Sequence, residues 1–353
     1  MKICVVGAGA IGGLLGARLA VAGEEVTLIA RGAHLEAIRT RGLEVAMNDG
    51  AVIRAADIAA TDDMKECGPQ DLVVLAVKAH QIAPIAGELS ALFGRGTVVL
   101  TTQNGIPWWY FQRHGGPLDG TVLDSLDPGG TISAVIAPER IVGCIAYPAA
   151  HITAPGRIRH IEGTRFPVGE LDGSATDRVH ALSETLRRAG FKSPVLDDIR
   201  SEIWLKAWGN LSFNPISALT HATLADICRF PPSRDLAARM MTEAQEVAAK
   251  LGISFRVPLE KRIAGAERVG RHKTSMLQDA EAGKALETEA LIGAVVELGR
   301  LTGTPTPAID AVCALTRLLG HTIEEERVRV RAEPFAPPLR AVSGPAVAAN
   351  GGS

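Results

Sequence analysis

Three glycines near the start of the chain have the spacing that binds a dinucleotide. Gly7, Gly9 and Gly12 follow the apolar run Ile3 to Val6 and precede a helical pattern from Leu14 to Val21. Strand, tight turn and helix within about thirty residues form the context in which such glycines indicate phosphate binding. Gly7 makes the turn, Gly9 leaves room for a pyrophosphate, and Gly12 allows close packing. A glycine-rich turn that only packs is the alternative.

The residue after the second predicted strand indicates which dinucleotide fits. That strand, Val26 to Ala30, ends at Arg31, whereas Glu24 and Glu25 precede it and so lie at its other end. An NAD site needs a carboxylate after this strand for the ribose hydroxyl, whereas a guanidinium can hold a 2′-phosphate with two hydrogen bonds. We therefore expect NADP(H) as the cofactor. A solvated surface arginine is the alternative.

A polar line follows one helix in the second half of the chain. Lys206, Asn210 and Asn214 recur at intervals of four residues, so at about 100° per residue they span only about 80° of the helix surface. Large apolar residues, among them Trp204 and Trp208, surround them. A lysine and two amides in apolar company are typical of a lined cleft. A solvated helix face is the alternative.

Ser275 and Asp279 form a second polar line, one helical turn apart, and Glu287 follows eight residues later. They are the further polar candidates for the same cleft. The alternative is the start of a helix, with Thr274 or Ser275 as its N-cap and Asp279 as an acidic residue in the first turn.

Lys78 and Asn104 each come directly after, or close to, the end of a buried strand. The runs 71–77 and 97–102 are mostly apolar and continuous, as is typical of strands covered on both faces. In open parallel sheets, ligands bind beyond the carboxyl ends of the strands. Both residues are therefore candidates for the cofactor site, with an ordinary surface lysine and a plain Asn-Gly turn as the alternatives.

The elements that must position these side chains divide the chain into an α/β half and an all-α half. The first half alternates strand and helix patterns, which predicts a doubly wound parallel sheet of the Rossmann type. Short runs at 140–146, 156–161 and 165–169 are expected to add antiparallel strands to one edge, and 114–130 to form a loop. From Ser201 onward the pattern is helical, over 201–218, 234–251, 258–271, 286–302 and 307–320.

We therefore predict three regions along the 353 residues. Residues 1–197 form a dinucleotide-binding domain, residues 198–330 form a helical domain that carries the substrate site, and the Pro/Ala/Gly-rich tail 331–353 is expected to be disordered. The aromatic cluster 107–111 is expected to join the two domains, with a pocket wall as the alternative.

Composition excludes several function classes. The net charge of −2 gives no electrostatic basis for nucleic acid or an anionic membrane as a partner. The five cysteines form no C-x-x-C pair and the nine histidines show no ligand spacing, so neither disulfides nor a metal site is expected. The apolar run 3–23 contains Arg18 and six glycines, which disfavours a signal peptide or a membrane span. A cytoplasmic protein is expected.

The chain resembles the ketopantoate reductase (2-dehydropantoate 2-reductase) family over residues 1 to about 320. Five motifs carry the resemblance, in the family's order and with its separations: Gly7-Ala8-Gly9-Ala10-Ile11-Gly12, Val77-Lys78-Ala79, Gln103-Asn104-Gly105, the run from Lys206 through Asn210 to Asn214-Pro215, and Ser275-Met-Leu-Gln-Asp279. Glu287 stands at the spacing that the family shows.

The resemblance implies that NADPH reduces a 2-oxo acid to a 2-hydroxy acid, as in pantothenate biosynthesis. It makes Lys206 and Glu287 the catalytic residues, with Lys206 as the general acid that protonates the developing alkoxide. Substrate would be bound by Asn104, Lys206, Asn210, Asn214 and Ser275. The cofactor would be bound by Gly7, Ala8, Gly9, Ala10, Ile11, Gly12, Arg31, Lys78, Asn104, Ala150 and Glu287. A monomer or a homodimer is expected.

One departure from the family keeps two alternatives open. A substrate-binding asparagine of the family falls near Leu224 in this chain, and a leucine cannot replace its hydrogen bonds. A bulkier 2-oxo acid, as in the related D-2-hydroxyacid (mandelate-type) dehydrogenases, is therefore an alternative substrate. A non-catalytic NADP(H)-sensing protein is a third possibility, although a sensor has no need of a proton donor.

Overall fold

The computed structural model describes residues 1–333, which form eleven strands and eleven α-helices. The strands are β1 (Lys2–Val6), β2 (Glu25–Ile29), β3 (Leu43–Ala46), β4 (Val52–Ala55), β5 (Ala59–Thr61), β6 (Gln70–Leu75), β7 (Phe93–Thr101), β8 (Ile141–Cys144), β9 (Ala149–Ala154), β10 (Arg157–Glu162) and β11 (Val168–Glu170). The helices are α1 (Ala10–Val21), α2 (Gly32–Arg41), α3 (Ile82–Leu89), α4 (Asp177–Arg188), α5 (Ile199–Thr220), α6 (Leu224–Arg229), α7 (Pro231–Lys250), α8 (Leu259–Val269), α9 (Ser275–Ala282), α10 (Ala294–Thr302) and α11 (Pro307–Glu325).

The first half is built on a seven-stranded sheet in the order β11-β8-β7-β6-β1-β2-β5. All neighbouring pairs are parallel except β11, which runs antiparallel to β8 at one edge. The central strands are fully buried on both faces, with Val5 and Val74 among the residues without exposed surface. The predicted Rossmann-type parallel sheet with an antiparallel edge strand is confirmed.

Two of the predicted edge additions are wrong in detail. β8 is parallel to β7, and β10 does not join the large sheet at all but lies in a second sheet of order β4-β3-β10-β9. The second sheet packs against α1. Ile158 of β10 packs so close to Gly13 that a Cβ on the glycine would overlap its side chain. A one-dimensional pattern could not show which of two faces β10 covers.

The second half is helical from α5 onward, as predicted. The predicted helices agree with α5, α7, α8 and α11 within a few residues, and 286–302 divides into a π-helical turn, Glu289–Gly293, followed by α10. The short helix α6 was not predicted. The segment that begins at Ser275 is α9, and Thr274 caps it by accepting from the backbone N–H of Leu277. The proposed boundary between 197 and 198 falls just before α5.

The aromatic cluster 107–111 joins the two halves, as expected. Tyr110 and Trp109 are completely or almost completely buried, and the indole N–H of Trp204 donates to the Tyr110 hydroxyl at 2.8 Å. Arg200 of α5 donates to the Tyr110 carbonyl at 2.7 Å. The start of α5 is therefore fixed to the end of the sheet, which sets where the rest of that helix can reach.

Other predicted features fall partly outside these elements. Residues 114–130 form turns and one short 3₁₀ helix at Pro128–Gly130, in agreement with a loop. The predicted tail lies outside the described residues from position 334 onward. Among the helices of residues 1–333, none combines the length and the hydropathy needed to cross a membrane.

Candidate active site

The three glycines form a tight turn between β1 and α1, which we call the glycine turn (residues 7–12). Gly7 has φ +103°, a left-handed conformation that favours glycine, and a Cβ there would lie 2.8 Å from the backbone nitrogen of Val77. A Cβ on Gly12 would collide with the Gly7 carbonyl oxygen and lie 2.8 Å from the Cβ of Ala76. Gly9 faces open space, with no atom within 4 Å of its missing Cβ. Two glycines therefore close the turn, and the third leaves its mouth open.

The mouth of the glycine turn is suited to an anion. Gly9 is the N-cap of α1 and no side chain caps the helix, so the N–H groups of the first turn have no intrahelical partner. These N–H groups and the positive end of the helix dipole favour a phosphate. Gly12 does not line the opening, since it is buried behind the turn.

A cavity of about 460 Å³ opens on one side of the glycine turn, at the ends of β1 and β2. Its wall includes Ala8 and Arg31, and Arg31 is exposed at the N-cap of α2. Within residues 1–333 no carboxylate forms an ion pair with Arg31. The guanidinium therefore stands at the cavity that would take the ribose of a dinucleotide.

A cleft of about 710 Å³ opens on the other side of the turn and runs toward the helical half. It brings together most of the predicted residues from both halves of the chain. Those that line it are Gly7, Gly9, Ala10, Ile11, Lys78, Asn104, Ala150, Ser275 and Glu287. Residues from both halves thus share one opening. Six of the predicted residues do not line it: Ala8 and Arg31, which line the neighbouring cavity, the buried Gly12, and Lys206, Asn210 and Asn214 of α5.

Lys206 of α5 is joined to this cleft by its ammonium group. The Nζ atom donates to Asn104 Oδ1 at 2.6 Å and also to the carbonyl oxygen of Ala146. Burial lowers the pKa of Lys206 to about 8, and the Glu287 carboxylate opposes that decrease. An ammonium has three N–H donors, so the third is free for a ligand. We call Lys206, Asn104, Ala146 and Glu287 the lysine cluster.

Glu287 enters the cleft just before the π-helical turn. Burial raises the pKa of its carboxyl group, and the positive charge of Lys78 opposes this most strongly. Its Oε1 atom accepts a hydrogen bond from the backbone N–H of Ala79 at 3.4 Å. A buried carboxyl group keeps its proton more readily than an exposed carboxyl group does, unless a cation lies nearby to stabilise its charged form.

Lys78 spans the cleft instead of pointing along it. Its Nζ atom lies 2.6 Å from Asp279 Oδ2 and donates to the Ala285 carbonyl at 3.1 Å. Both partners belong to the helical half, so the lysine ties the two sides of the opening together. The alternative of an ordinary surface lysine is thereby disfavoured.

The other two residues of the polar line behave differently from each other. Asn214 is buried and its amide donates to Ser275 Oγ at 3.4 Å, which links α5 to the start of α9. Asn210 is partly buried, and no residue in the described part of the chain accepts or donates a hydrogen bond to its side chain. Asn210 therefore has an amide available at the centre of the line.

Sequence reasoning missed residues that support the site from behind. The Tyr147 ring lies 5.7 Å from Lys206 Nζ, measured to its centroid, and its hydroxyl donates to Glu202 Oε1 at 2.7 Å. The amide of Gln103 donates to the carbonyls of Leu75 and Val77 and holds the strand ends together. The Tyr147 position carried no sequence signal, because a lone tyrosine after a strand is unremarkable by type and spacing.

This arrangement suits the reduction of a carbonyl group. The open glycine turn and the two cavities beside it fit a nicotinamide dinucleotide, because the position where a pyrophosphate must approach has no side chain. The lysine cluster places an ammonium with a lowered pKa at the same opening. A proton donor beside a hydride-donor site is what a ketone needs to become an alcohol.

Comparisons with known proteins agree with this geometry. Two family models match, "Ketopantoate reductase PanE/ApbA" over residues 3–173 and "Ketopantoate reductase PanE/ApbA C terminal" over residues 198–320. A 2-dehydropantoate 2-reductase from Mesorhizobium japonicum is 53% identical over 320 residues, covering 90% of this chain and 98% of that protein. Another from Archaeoglobus fulgidus is 29% identical, covering 90% and 95%.

Solved structures of similar proteins also point to this family and its fold. A candidate ketopantoate reductase from Ralstonia solanacearum MolK2 superposes with a TM-score of 0.86 at 40% identity, covering 92% of this chain and 98% of that one. D-mandelate dehydrogenase in complex with NADH and anilino(oxo)acetate has a TM-score of 0.78 at 24% identity, covering 92% and 99%, which shows a shared fold.

Proposed function

The chain belongs to the ketopantoate reductase family, and from this premise we propose that it reduces 2-dehydropantoate to pantoate with NADPH. One observation supports the chemistry most directly: the Lys206 ammonium is held by Asn104 and Ala146 at the cleft that begins at the glycine turn. The reaction is the 2-oxo acid reduction of pantothenate biosynthesis. The enzyme would act as a monomer or a homodimer.

The glycine turn and Arg31 would hold the cofactor, which supplies a hydride when it is bound. The first-turn N–H groups of α1 bind the pyrophosphate, and Gly9 keeps the backbone accessible. The Arg31 guanidinium binds the 2′-phosphate, which supports NADPH over NADH. Lys78 and Ala150 line the cleft beyond the turn.

Lys206 would supply the proton. Two of its three N–H donors are held by Asn104 and Ala146, which leaves the third for the substrate ketone oxygen. The ammonium stabilises the negative charge that grows on that oxygen and then transfers the proton to it. A pKa of about 8 leaves the amine protonated at neutral pH but ready to give up the proton.

The remaining residues would orient the reactants. Glu287 would hold Lys206 or the substrate hydroxyl in place, and its buried carboxyl group lies within electrostatic range of Lys206 and Lys78. Asn210, Asn214 and Ser275 bind substrate oxygens along the polar line, and Asn214 and Ser275 already contact each other.

A steady-state assay of the purified full chain tests this proposal. NADPH oxidation is followed by its absorbance with 2-dehydropantoate as the substrate, and the product is identified as pantoate. We expect kcat/KM to be much larger with NADPH than with NADH. Failure to oxidise either coenzyme with any 2-oxo acid would contradict the proposal and revive the non-catalytic sensor.

Leu224 supports one second candidate, a reductase for a bulkier 2-oxo acid. Leu224 is the first residue of α6 and is partly buried, and a leucine cannot make the hydrogen bonds of the asparagine that the family carries near this position. The assay therefore includes a series of 2-oxo acids with branched aliphatic and aromatic side chains. A kcat/KM for an aromatic acid above that for 2-dehydropantoate would favour this candidate.

A further inference from the structure

Gly209 is an unexpected residue in the middle of α5. A glycine inside a helix costs about 1 kcal/mol relative to alanine. The space where its side chain would stand is filled by Arg262 of α8, whose Cζ atom would lie 2.7 Å from a Cβ at position 209. The absence of a side chain at Gly209 is what lets the guanidinium lie against the helix backbone.

The guanidinium of Arg262 has no partner in residues 1–333. No carboxylate, carbonyl or hydroxyl oxygen accepts from it, although it is only partly exposed. The acidic residues of its own helix are engaged elsewhere, Glu260 with Arg234 and Glu267 with Arg229. Burial lowers the pKa of Arg262, yet an arginine keeps its charge in proteins. A partly buried cation with five N–H donors is therefore available for an anion.

The position of this cation relates it to the lysine cluster. Gly209 comes three residues after Lys206 and directly before Asn210, and residues three apart on a helix are neighbours about 5–6 Å apart. Tyr147 connects the two cations, since it lies 5.7 Å from Lys206 Nζ and within electrostatic range of Arg262. Arg262 thus packs against the turn of α5 that lies between Lys206 and Asn210.

A 2-oxo acid presents two oxygen-bearing groups on adjacent carbons, a ketone and a carboxylate. A site for it needs a proton donor at the ketone and a separate anion-binding group a few ångströms away. The planar fork of a guanidinium matches a carboxylate with two parallel hydrogen bonds.

We propose that Arg262 binds the carboxylate of the 2-oxo acid and that Gly209 exists to admit it. This assignment rests on the proposed function, because it names a specificity-determining residue for that reaction. The helix that carries Arg262, α8, packs beside α6, the helix that begins at Leu224, with Cys228 Sγ 3.7 Å from the Ile263 carbonyl oxygen.

Two variants remove the interaction in different ways. Arg262→Gln removes the charge, whereas Gly209→Ala keeps the arginine but displaces its flexible end from the helix surface. Lys261→Gln is the matched control, since Lys261 is the exposed preceding residue of α8. For each protein, kcat, KM for 2-dehydropantoate and Kd for NADPH are measured, together with the thermal midpoint.

We expect the KM for 2-dehydropantoate to rise about 10–100-fold in Arg262→Gln, the range for losing hydrogen bonds to a charged group, with the Kd for NADPH unchanged. Gly209→Ala should raise KM in the same direction and add nothing in the Arg262→Gln background. In a further variant, Arg262→Ala, which leaves space for an added ion, guanidinium chloride at millimolar concentration should partly restore kcat/KM, which a merely structural role would not predict. The control should behave as the wild type.

Two results would overturn the assignment. One is a KM within twofold of wild type in both Arg262→Gln and Gly209→Ala. The other is a Gly209→Ala effect that persists undiminished in the double variant. Calorimetric binding of 2-dehydropantoate to the NADP⁺ complex separates this proposal from the proposed function. Wild type that binds without turnover contradicts the function alone, whereas Arg262→Gln that binds like wild type contradicts the role of Arg262 alone.

Discussion

The glycine turn and the lysine cluster lie at the two ends of one opening and differ in construction: the turn lacks a side chain where a ligand approaches, whereas the cluster buries a charged one. The glycine turn leaves room for a ligand: Gly9 has no side chain and faces open space, and the N–H groups of the first turn of α1 have no side-chain cap. The lysine cluster works by holding a side chain that water would otherwise solvate, and burial lowers the pKa of Lys206 to about 8. The glycine turn offers backbone N–H groups to a phosphate, whereas the lysine cluster changes the pKa of its own ammonium group by burying it.

The two ends also differ in how far apart in sequence their parts lie. The glycine turn is completed within a few residues, and the N–H groups of Gly7 and Ala8 both donate to the Ile29 carbonyl, at 3.2 and 2.9 Å. Lys206 is held by Asn104, which is 102 positions away, and by Ala146, which is 60 positions away. The first end is therefore a local device, whereas the second forms only when both halves of the chain are in place.

The largest expected effect is a loss of kcat at the lysine cluster without a change in NADPH binding at the glycine turn. Lys206→Met removes the ammonium while keeping a side chain of similar length, so kcat should fall about 10²–10⁴-fold, the usual contribution of a general acid. The Kd for NADPH, measured by fluorescence titration, should stay unchanged because the glycine turn is untouched. Lys250→Met, at the exposed end of α7, is the matched control. A kcat within threefold of wild type would remove Lys206 from the mechanism.

Within the glycine turn, two substitutions of the same kind should have different effects. Gly12→Ala places a Cβ against the Gly7 carbonyl and Ala76, so the free energy of unfolding should fall by about 1–3 kcal/mol. Gly9→Ala meets open space and should cost about 1 kcal/mol or less, yet it should weaken NADPH binding about tenfold or more because the Cβ stands where the phosphate approaches.

Urea denaturation and fluorescence titration measure the two effects. Gly87→Ala on α3, where a Cβ also meets nothing within 4 Å, serves as the control and should change neither quantity for the worse. Equal losses of stability in Gly9→Ala and Gly12→Ala would show that both glycines only pack.

The contrast also explains what the sequence could predict. The glycine turn, Arg31 and the buried strands were predictable because strand, turn and helix signals lie next to one another in the chain. The polar line on α5 was predictable from its period. The surroundings of Lys206 were not, since Asn104, the Ala146 carbonyl and Glu287 are brought together by the packing of two halves.

Arg262 shows the same limit more sharply. A single arginine on an amphipathic helix is usually a solvated residue, and nothing in its spacing relates it to Lys206. The one sequence signal for Arg262 was Gly209 in α5, because a glycine destabilises the middle of a helix and no neighbouring residue in the sequence explains it. The second sheet was missed for a related cause, because the run 156–161 reads as an edge strand until Ile158 is seen against Gly13.

A smaller effect is expected at the outer part of the dinucleotide site. Arg31→Ala should raise KM for NADPH about 10–100-fold and leave KM for NADH nearly unchanged, because only NADPH has a 2′-phosphate for the guanidinium. The measurement is the ratio of kcat/KM for the two coenzymes. Arg41→Ala, at the exposed end of the same helix, is the control. An equal decrease in kcat/KM with both coenzymes would mean that Arg31 supports the fold of α2 instead of binding the 2′-phosphate.

The smallest effect concerns the charge that Glu287 adds to the lysine cluster. Reduction needs Lys206 protonated, and its pKa of about 8 means that kcat/KM should be level near neutral pH and fall above about pH 8. Burial lowers this pKa and Glu287 opposes the decrease, so Glu287→Gln should lower it further and move the alkaline limb to lower pH. The pH dependence of kcat/KM for the wild type, Glu287→Gln and the exposed control Glu246→Gln measures the shift. A limb that moves to higher pH in Glu287→Gln would mean that another group titrates, and that the lysine cluster does not set the proton supply.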